Sequence, residues 1–201
     1  MTSELFSALL LFVIVTLFTP GPNNAMLMTS GLNFGFQRTL PHMFGVALGF
    51  GVMVLAVGLG IGALFTAYPV IYTVLRVVGI AYLLYLAWAI ASAGGIEDRD
   101  GGARPMKFVE AAAFQWVNPK AWVMAVGAVS SYAAVAPFPL NIGLIAGLFT
   151  ALGLVSSATW LLFGQGLRRI LGSPGAVRFF NYTMAAALVA SLYPVLAQFW
   201  K

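Results

Sequence analysis

Two similar motifs interrupt the apolar parts of this chain, Thr19-Pro20-Gly21-Pro22-Asn23-Asn24 near the amino terminus and Asn118-Pro119-Lys120 near the middle. Each proline lacks an amide donor, and its ring obstructs the carbonyl one helical turn earlier. A helix therefore cannot pass through either motif without losing backbone hydrogen bonds. The sequence predicts two broken helices, one in each half of the chain.

The composition around these motifs is that of a membrane protein. Hydrophobic residues make up 61% of the 201 residues and charged residues only 7%, whereas soluble domains usually carry about 25% charged residues. Asp, Glu, Lys and Arg are absent from residues 5–37, 39–75, 77–96, 121–167 and 179–200. A bilayer span needs about 20 apolar residues. We therefore expect an all-α membrane protein that is surrounded by the lipid bilayer.

Proline, glycine and charge place the boundaries of six predicted transmembrane helices. They cover residues 5–29, 41–65, 69–91, 108–131, 139–163 and 177–199. The charged stretch at residues 94–107 separates a first three-helix half, residues 1–93, from a second, residues 108–201. A three-helix half reverses direction, so the second half enters from the opposite side and the two form a predicted inverted repeat with broken first and fourth helices. The alternative is that the two breaks coincide by chance.

Basic residues predict the orientation, because short cytoplasmic loops carry an excess of Lys and Arg. With six spans, one face holds Arg38, Arg99, Arg104, Lys107, Arg168, Arg169 and Arg178, and the other holds Lys201. Residues 94–107 are therefore a cytoplasmic loop, and both termini are expected in the periplasm or outside the cell. The same topology explains the net charge of +5, so no nucleic-acid partner is expected.

Small residues recur at the spacing that lets membrane helices approach closely. The pairs are Gly45 with Gly49, Gly58 with Gly62, and Gly143 with Gly147. We expect packing within one chain; a homodimer face is the alternative.

The first motif can form part of a binding site. An unpaired backbone group in lipid costs several kcal/mol, so the groups freed by Pro20 and Pro22 need partners. Gly21 permits an unwound backbone, and Asn23 and Asn24 can bond the freed groups or a ligand. The alternative interpretation is that the motif only ends the first helix at the membrane interface.

The second motif places a charge near the middle of the membrane. If span four begins near Phe108, Lys120 lies roughly 18 Å along it, within a core about 30 Å thick. Inserting a Lys at that depth costs roughly 3 kcal/mol on insertion scales, so we expect a bonding partner or a functional role that compensates for this cost. Asn118, Pro119 and Lys120 are therefore candidate substrate-binding residues. The alternative is a Lys that snorkels or pairs with a backbone carbonyl.

Three further polar residues have two interpretations each. Arg76 lies roughly 12 Å into span three; it either faces the cavity as a substrate-binding residue or snorkels to the headgroups. His42 opens span two as an interfacial residue or a proton carrier. Glu110 is an interfacial or helix N-terminal carboxylate, or a proton site.

The residue inventory disfavours enzyme chemistry. The chain has no cysteine and one histidine, which leaves few metal ligands, and no nucleophile–base motif is present. We expect no cofactor and no metal. Every acid, at residues 4, 97, 98, 100 and 110, lies near a predicted interface. A zwitterion would suit such a site, since helix N-termini and Lys120 favour a carboxylate and freed carbonyls favour an ammonium.

The motifs resemble the LysE/RhtB family of amino-acid exporters. The first motif, with Gly31, Gly35-Phe36 and Gly45-x-x-x-Gly49, is similar to the opening signature of that family. Residues 79–88 (GIAYLLYLAW) resemble its third span and residues 114–121 (FQWVNPKA) its fourth. Asn23-Asn24, with residues 87–91 and 114–118, resembles the branch that exports cysteine and O-acetylserine. Arg76 stands where many members carry Lys.

The resemblance implies export of amino acids or close derivatives across a bacterial inner membrane, driven by the membrane gradient. Our hypothesis is a secondary transporter that exports a small, neutral amino acid by alternating access, with a proton or a sodium gradient as the candidate driving force. A passive channel remains an alternative because deep acids for proton coupling are missing. A membrane assembly factor is a second alternative.

Overall fold

A computed structural model describes residues 3–61, 67–92, 104–171 and 173–196. Within these ranges the regular elements are helices. The α-helices are α1 Ser3–Phe18, α2 Pro22–Phe34, α3 Phe36–Ala56, α4 Pro69–Ser92, α5 Phe108–Val117, α6 Pro119–Ser131, α7 Leu140–Ile170, α8 Pro174–Ala190 and α9 Tyr193–Leu196. A π-helical turn, Val57–Ile61, extends α3, and a 3-10 turn, Ala133–Val135, follows α6.

The first motif interrupts the helical stretch near the amino terminus. Residues 19–21 leave the helical conformation, with Gly21 extended at φ −174°, and α2 then starts with Pro22 as its first residue. The axes of α1 and α2 differ by 52°, a bend that fits a broken span or a re-entrant loop. A second helix thus follows the motif directly, and the broken first span stays a prediction. Helix α2 also continues to Phe34, past the predicted end at residue 29.

A glycine separates α2 from α3. Gly35 has φ +79° and ψ 177°, in a region that L-residues with a side chain rarely adopt. The helix therefore ends there, and α3 starts at Phe36, earlier than the predicted boundary at residue 41.

The second motif breaks the predicted fourth span, as expected. Helix α5 ends at Val117, Asn118 is extended at φ −82° and ψ 111°, and Pro119 begins α6. The Asn118 side chain accepts a hydrogen bond from the Lys120 amide at 3.1 Å, which caps α6. This capping explains why the helix can restart directly after the break.

Membrane-length helices account for part of the predicted topology. In the described part of the chain, three helical stretches are long and apolar enough to cross a membrane, residues 36–61, 73–92 and 140–168, and the bent pair α1–α2 makes a fourth. The predicted fourth and sixth spans contain shorter helices, of 10 and 13 residues and of 17 residues. The membrane class is thus supported, and six spans stay a prediction.

Helix α7 lies at the centre of the packing, against α2 and α3, while α5 packs on α3 and α4 packs on α8. Helices α2 and α7 approach backbone to backbone. A Cβ at Gly31 would collide with the Leu161 carbonyl, and one at Gly164 would collide with the Met28 carbonyl. Both positions therefore require glycine.

Other glycines hold α5 in place. A Cβ at Gly45 would collide with the Phe108 carbonyl, and one at Gly49 would lie 2.5 Å from the Ala112 Cα. The pair Gly45 and Gly49 thus packs within the chain, as expected. Gly58 packs on Ile142, whereas Gly143 and Gly147 have no such neighbour within 4 Å among the described residues. Gly62 lies outside the described residues.

Candidate functional site

The two breaks meet at one small cavity, the central cavity, with a volume of about 40 Å³. Six of the nine predicted site residues line it: Gly21, Pro22, Asn23, Asn24, Asn118 and Lys120. Helix α3 and the middle of α7 complete the wall, with residues such as Phe50 and Gly153. Residues roughly a hundred positions apart in the chain therefore line the same small cavity.

Lys120 joins the second break to the first. Its Nζ donates to the Thr19 carbonyl oxygen at 2.5 Å and lies 3.5 Å from that of Pro20. A Cβ at Gly21 would lie 2.8 Å from the Lys120 Cδ, so glycine makes room for the side chain. Of the two interpretations of Lys120, the pairing with a backbone carbonyl is present, and the same side chain also faces the cavity.

Side chains satisfy the carbonyls that the first break exposes. Asn24 Nδ2 donates to the Leu17 oxygen at 3.1 Å and to the Thr19 oxygen at 3.0 Å. Ser156 Oγ on α7 donates to the same Leu17 oxygen at 2.9 Å. Because unpaired carbonyls in lipid are costly, these bonds hold the unwound stretch open and keep it polar.

Asn23 and Gln115 form a reciprocal amide pair. Asn23 Nδ2 donates to Gln115 Oε1 at 2.8 Å, and Gln115 Nε2 donates to Asn23 Oδ1 at 3.1 Å. Gln115 is fully buried, and its Nε2 also donates to the Ala111 carbonyl oxygen at 2.9 Å. The pair fixes the start of α2 against α5 beside the cavity.

The central cavity has a positive character. Helices α2 and α6 both begin at it, with Pro22 and Pro119 as their first residues, and helix N-termini carry partial positive charge. Lys120 is the charged side chain among the described lining residues, and no carboxylate is among them. The site therefore favours an anionic group.

The remaining predicted site residues lie elsewhere. Pro20 lines a neighbouring cavity between α2, α7 and α8, with a volume of about 420 Å³. Pro119 and Arg76 line a very small space of about 10 Å³, together with Trp122. Arg76 is therefore not brought to the central cavity in this structure.

The prediction missed two serines of this cavity. Ser156 and Ser157 are buried, with 2% and 4% of their surface exposed, and both line the cavity. Adjacent hydroxyls in the charge-free stretch 121–167 were the signal that could have found them. Gln115 belonged to the motif at residues 114–121, but its role was not predicted.

His42 and Glu110 share a second cavity, where α2, α4 and the start of α5 meet.

The described residues contain no group of three or more His, Cys, Asp or Glu side chains that could hold a metal ion.

A helical membrane protein with a polar cavity between two broken helices has the architecture of a secondary transporter. This chain belongs to the LysE family, whose model, described as LysE type translocator, matches residues 14–191. Membership makes the protein a membrane transporter rather than an enzyme, as the sequence predicted.

Curated relatives cover almost the whole chain. The protein named cysteine/O-acetylserine efflux protein in Escherichia coli strain K12 is 32% identical over 193 residues, which are 94% of this chain and 96% of that protein. A protein of the same name in Salmonella typhimurium strain LT2 is 32% identical over 192 residues, with the same coverage. No solved structure matches the chain significantly.

Proposed function

We propose that this protein exports a small, neutral amino acid or a close derivative across the bacterial inner membrane. The observation that carries the proposal is the convergence of two helix N-termini and Lys120 on one cavity. A substrate carboxylate would bind these positive groups. Its ammonium would bind the Thr19 or Leu17 carbonyl by displacing one of the side chains that now donate to them, Lys120, Asn24 or Ser156. The names of the relatives favour cysteine and O-acetylserine as substrates.

In the proposed site, Asn23, Asn24, Asn118 and Lys120 contact the substrate. Gly21 and the prolines Pro20, Pro22 and Pro119 shape the breaks that expose the backbone. Arg76 has the weakest support, since it lines a separate space in this structure. It would reach the substrate only in another conformation of the transporter.

The proposed mechanism is alternating access between two three-helix halves, residues 1–93 and 108–201, which form an inverted repeat of six spans. Two packing relations support the repeat. Helix α3 packs on α7, and α4 packs on α8, so the second and third spans of one half contact their counterparts in the other. A two-fold axis in the membrane plane would map each of these pairs onto itself.

The basic residues favour cytoplasmic placement of residues 94–107 and periplasmic placement of both termini. We propose a proton or sodium gradient as the driving force. A homodimer is also proposed, and the uncovered Gly143 and Gly147 on α7 would suit its interface.

Transport into inside-out vesicles tests the function. Vesicles containing the protein should accumulate labelled O-acetyl-L-serine above its outside concentration when a proton or sodium gradient is imposed. Vesicles without the protein are the control. Equilibration without accumulation under either gradient would instead favour a passive channel. No movement of O-acetylserine, cysteine or any other amino acid would contradict export and favour an assembly factor.

A further inference from the structure

The second cavity is larger than the central cavity, with a volume of about 480 Å³. It lies where Phe34 ends α2 and where the segment from Arg104 leads into α5. The predicted orientation puts this end at the cytoplasm. We name it the vestibule, and define it by Thr29, Ser30, His42, Tyr82, Arg104 and Glu110 among its lining residues.

The floor of the vestibule holds polar atoms without partners. His42 is 1% exposed, and its Nδ1 lies 3.2 Å from the Ser30 Oγ. Its Nε2 and the Thr29 Oγ1 are buried and have no hydrogen-bond partner among the described residues. A buried polar group left unpaired costs about 1–3 kcal/mol. A ligand that bonds these two atoms would therefore gain affinity from them.

The rim of the vestibule holds one positive and one negative side chain. Arg104 donates to the two Glu110 oxygens at 2.7 and 2.5 Å, and Glu110 also accepts from the Lys107 amide at 2.9 Å. The hydrogen bond to Glu110 raises the pKa of Arg104, so the guanidinium stays charged. Both side chains are partly exposed, 49% and 37%, and such pairs contribute little to stability. Arg104 and Glu110 can therefore separate, and each can bind the opposite charge of a zwitterionic ligand.

We infer that the vestibule is a second binding site, for a zwitterionic amino acid with a short polar side chain. The substrate carboxylate binds Arg104 and its ammonium binds Glu110. Its side-chain polar atom reaches Thr29 and His42 on the floor, and Tyr82 supplies an apolar wall. This inference rests on the proposed export of amino acids, because the vestibule would load the substrate from the cytoplasm.

The vestibule is separate from the central cavity. Asn23 lines the central cavity and Thr29 lines the vestibule, roughly 9 Å farther along α2 at the helical rise. The Asn23–Gln115 pair and a buried apolar cluster that includes Met26 and Phe114 lie along this stretch of α2. A molecule bound in the vestibule therefore does not touch Lys120.

Protection of His42 from diethyl pyrocarbonate tests the inference. His42 is the sole histidine of the chain, so modification is read out at one position by mass spectrometry. The full-length protein is purified in detergent with a tag that lacks histidine. O-acetyl-L-serine should slow the modification more than ethanolamine at the same concentration, an amine that also consumes the reagent but carries no carboxylate. The Lys120→Ala variant, which damages only the central cavity, should keep this protection.

Variants of the vestibule give the matched comparison. Thr29→Val keeps the shape of the side chain and should raise the O-acetylserine concentration needed for half-protection by about 3- to 10-fold. Arg104→Gln should raise it further, because a charged partner is lost. Thr159→Val is the control, since Thr159 is exposed on α7 and donates to the Val155 carbonyl; it should leave protection unchanged.

Two results would overturn the inference. One is the absence of protection in wild-type protein that transports O-acetylserine. The other is loss of protection in Lys120→Ala together with full protection in Thr29→Val, which would make His42 a reporter of the central cavity. Failure of the proposed function is distinct, because it appears as the absence of transport by the wild-type protein in vesicles.

Discussion

The side-chain amides of Asn23 and Gln115 face each other in a reciprocal pair, with N–O distances of 2.8 and 3.1 Å. Each residue belongs to a different broken helix, and the pair lies beside the central cavity. An amide pair in a lipid-surrounded protein has no water to replace it. The Asn23–Gln115 pair therefore holds α2 in a fixed position relative to α5.

This relationship predicts non-additive effects on stability. Asn23→Ala leaves the buried Gln115 Oε1 without a donor, and Gln115→Ala leaves the half-buried Asn23 amide unpaired. Each change should lower the free energy of unfolding by about 1–3 kcal/mol. The double variant should lose less free energy of unfolding than the two single variants lose together, with a coupling energy of about 1 kcal/mol. Unfolding in mixed micelles measures this, and Ser7→Ala, at an exposed position, is the control. Strict additivity would contradict the pairing.

Lys120 should be needed for export but not for insertion. Lys120→Met removes the charge and should lower the initial rate of vesicle transport by about 10- to 100-fold, the equivalent of a lost charge-assisted hydrogen bond. Lys120→Arg should restore part of the rate. Arg178→Gln, at an exposed position on α8, should transport normally. Normal transport by Lys120→Met would remove Lys120 from the proposed site.

The contact between α2 and α7 predicts a large difference between two neighbouring glycines. Gly164→Ala should destabilise the protein by about 1–3 kcal/mol or more, because its Cβ would meet the Met28 backbone and the helices must separate. Gly166→Ala, with no neighbour within 4 Å among the described residues, should be neutral or slightly stabilising. Thermal unfolding in detergent measures both. Equal melting temperatures would contradict the close approach.

The predicted topology can be tested with single cysteines, because the chain contains none. Phe138→Cys, at an exposed position between α6 and α7, should react with an impermeant maleimide in intact cells. Ser173→Cys, between α7 and α8, should react only after the inner membrane is opened. The reverse pattern would place the termini in the cytoplasm and contradict the orientation.

Both breaks were predictable because the effect of proline on a helix is local and depends little on the surroundings. The end of α2 was not. The predicted boundary lay at residue 29, yet the helix continues through two polar residues that find partners inside the bundle. Ser30 Oγ lies 3.2 Å from His42 Nδ1, and Asn33 donates to the Thr29 oxygen at 3.0 Å and to Asn181 Oδ1 at 3.3 Å. A polar residue therefore predicts a helix end only where no residue distant in the sequence forms a hydrogen bond with it.

The composition of the central cavity was only partly predictable for the same reason. Charge and depth singled out Lys120, but its acceptor at Thr19 is 101 residues away. Ser156 bonds Leu17 across 139 residues. Such partners are set by how the helices pack, and the packing of α2 on α7 depends on glycines whose role is visible only in three dimensions.

The glycine contacts between α2 and α7 also have a mechanical consequence. Two backbones that touch without intervening side chains leave little room for either helix to shift alone. In the proposed alternating access, α2 would therefore move together with α7 and not with the rest of the first half. The non-helical residues on either side of α2, residues 19–21 and Gly35, are the places where the chain could bend to allow this movement.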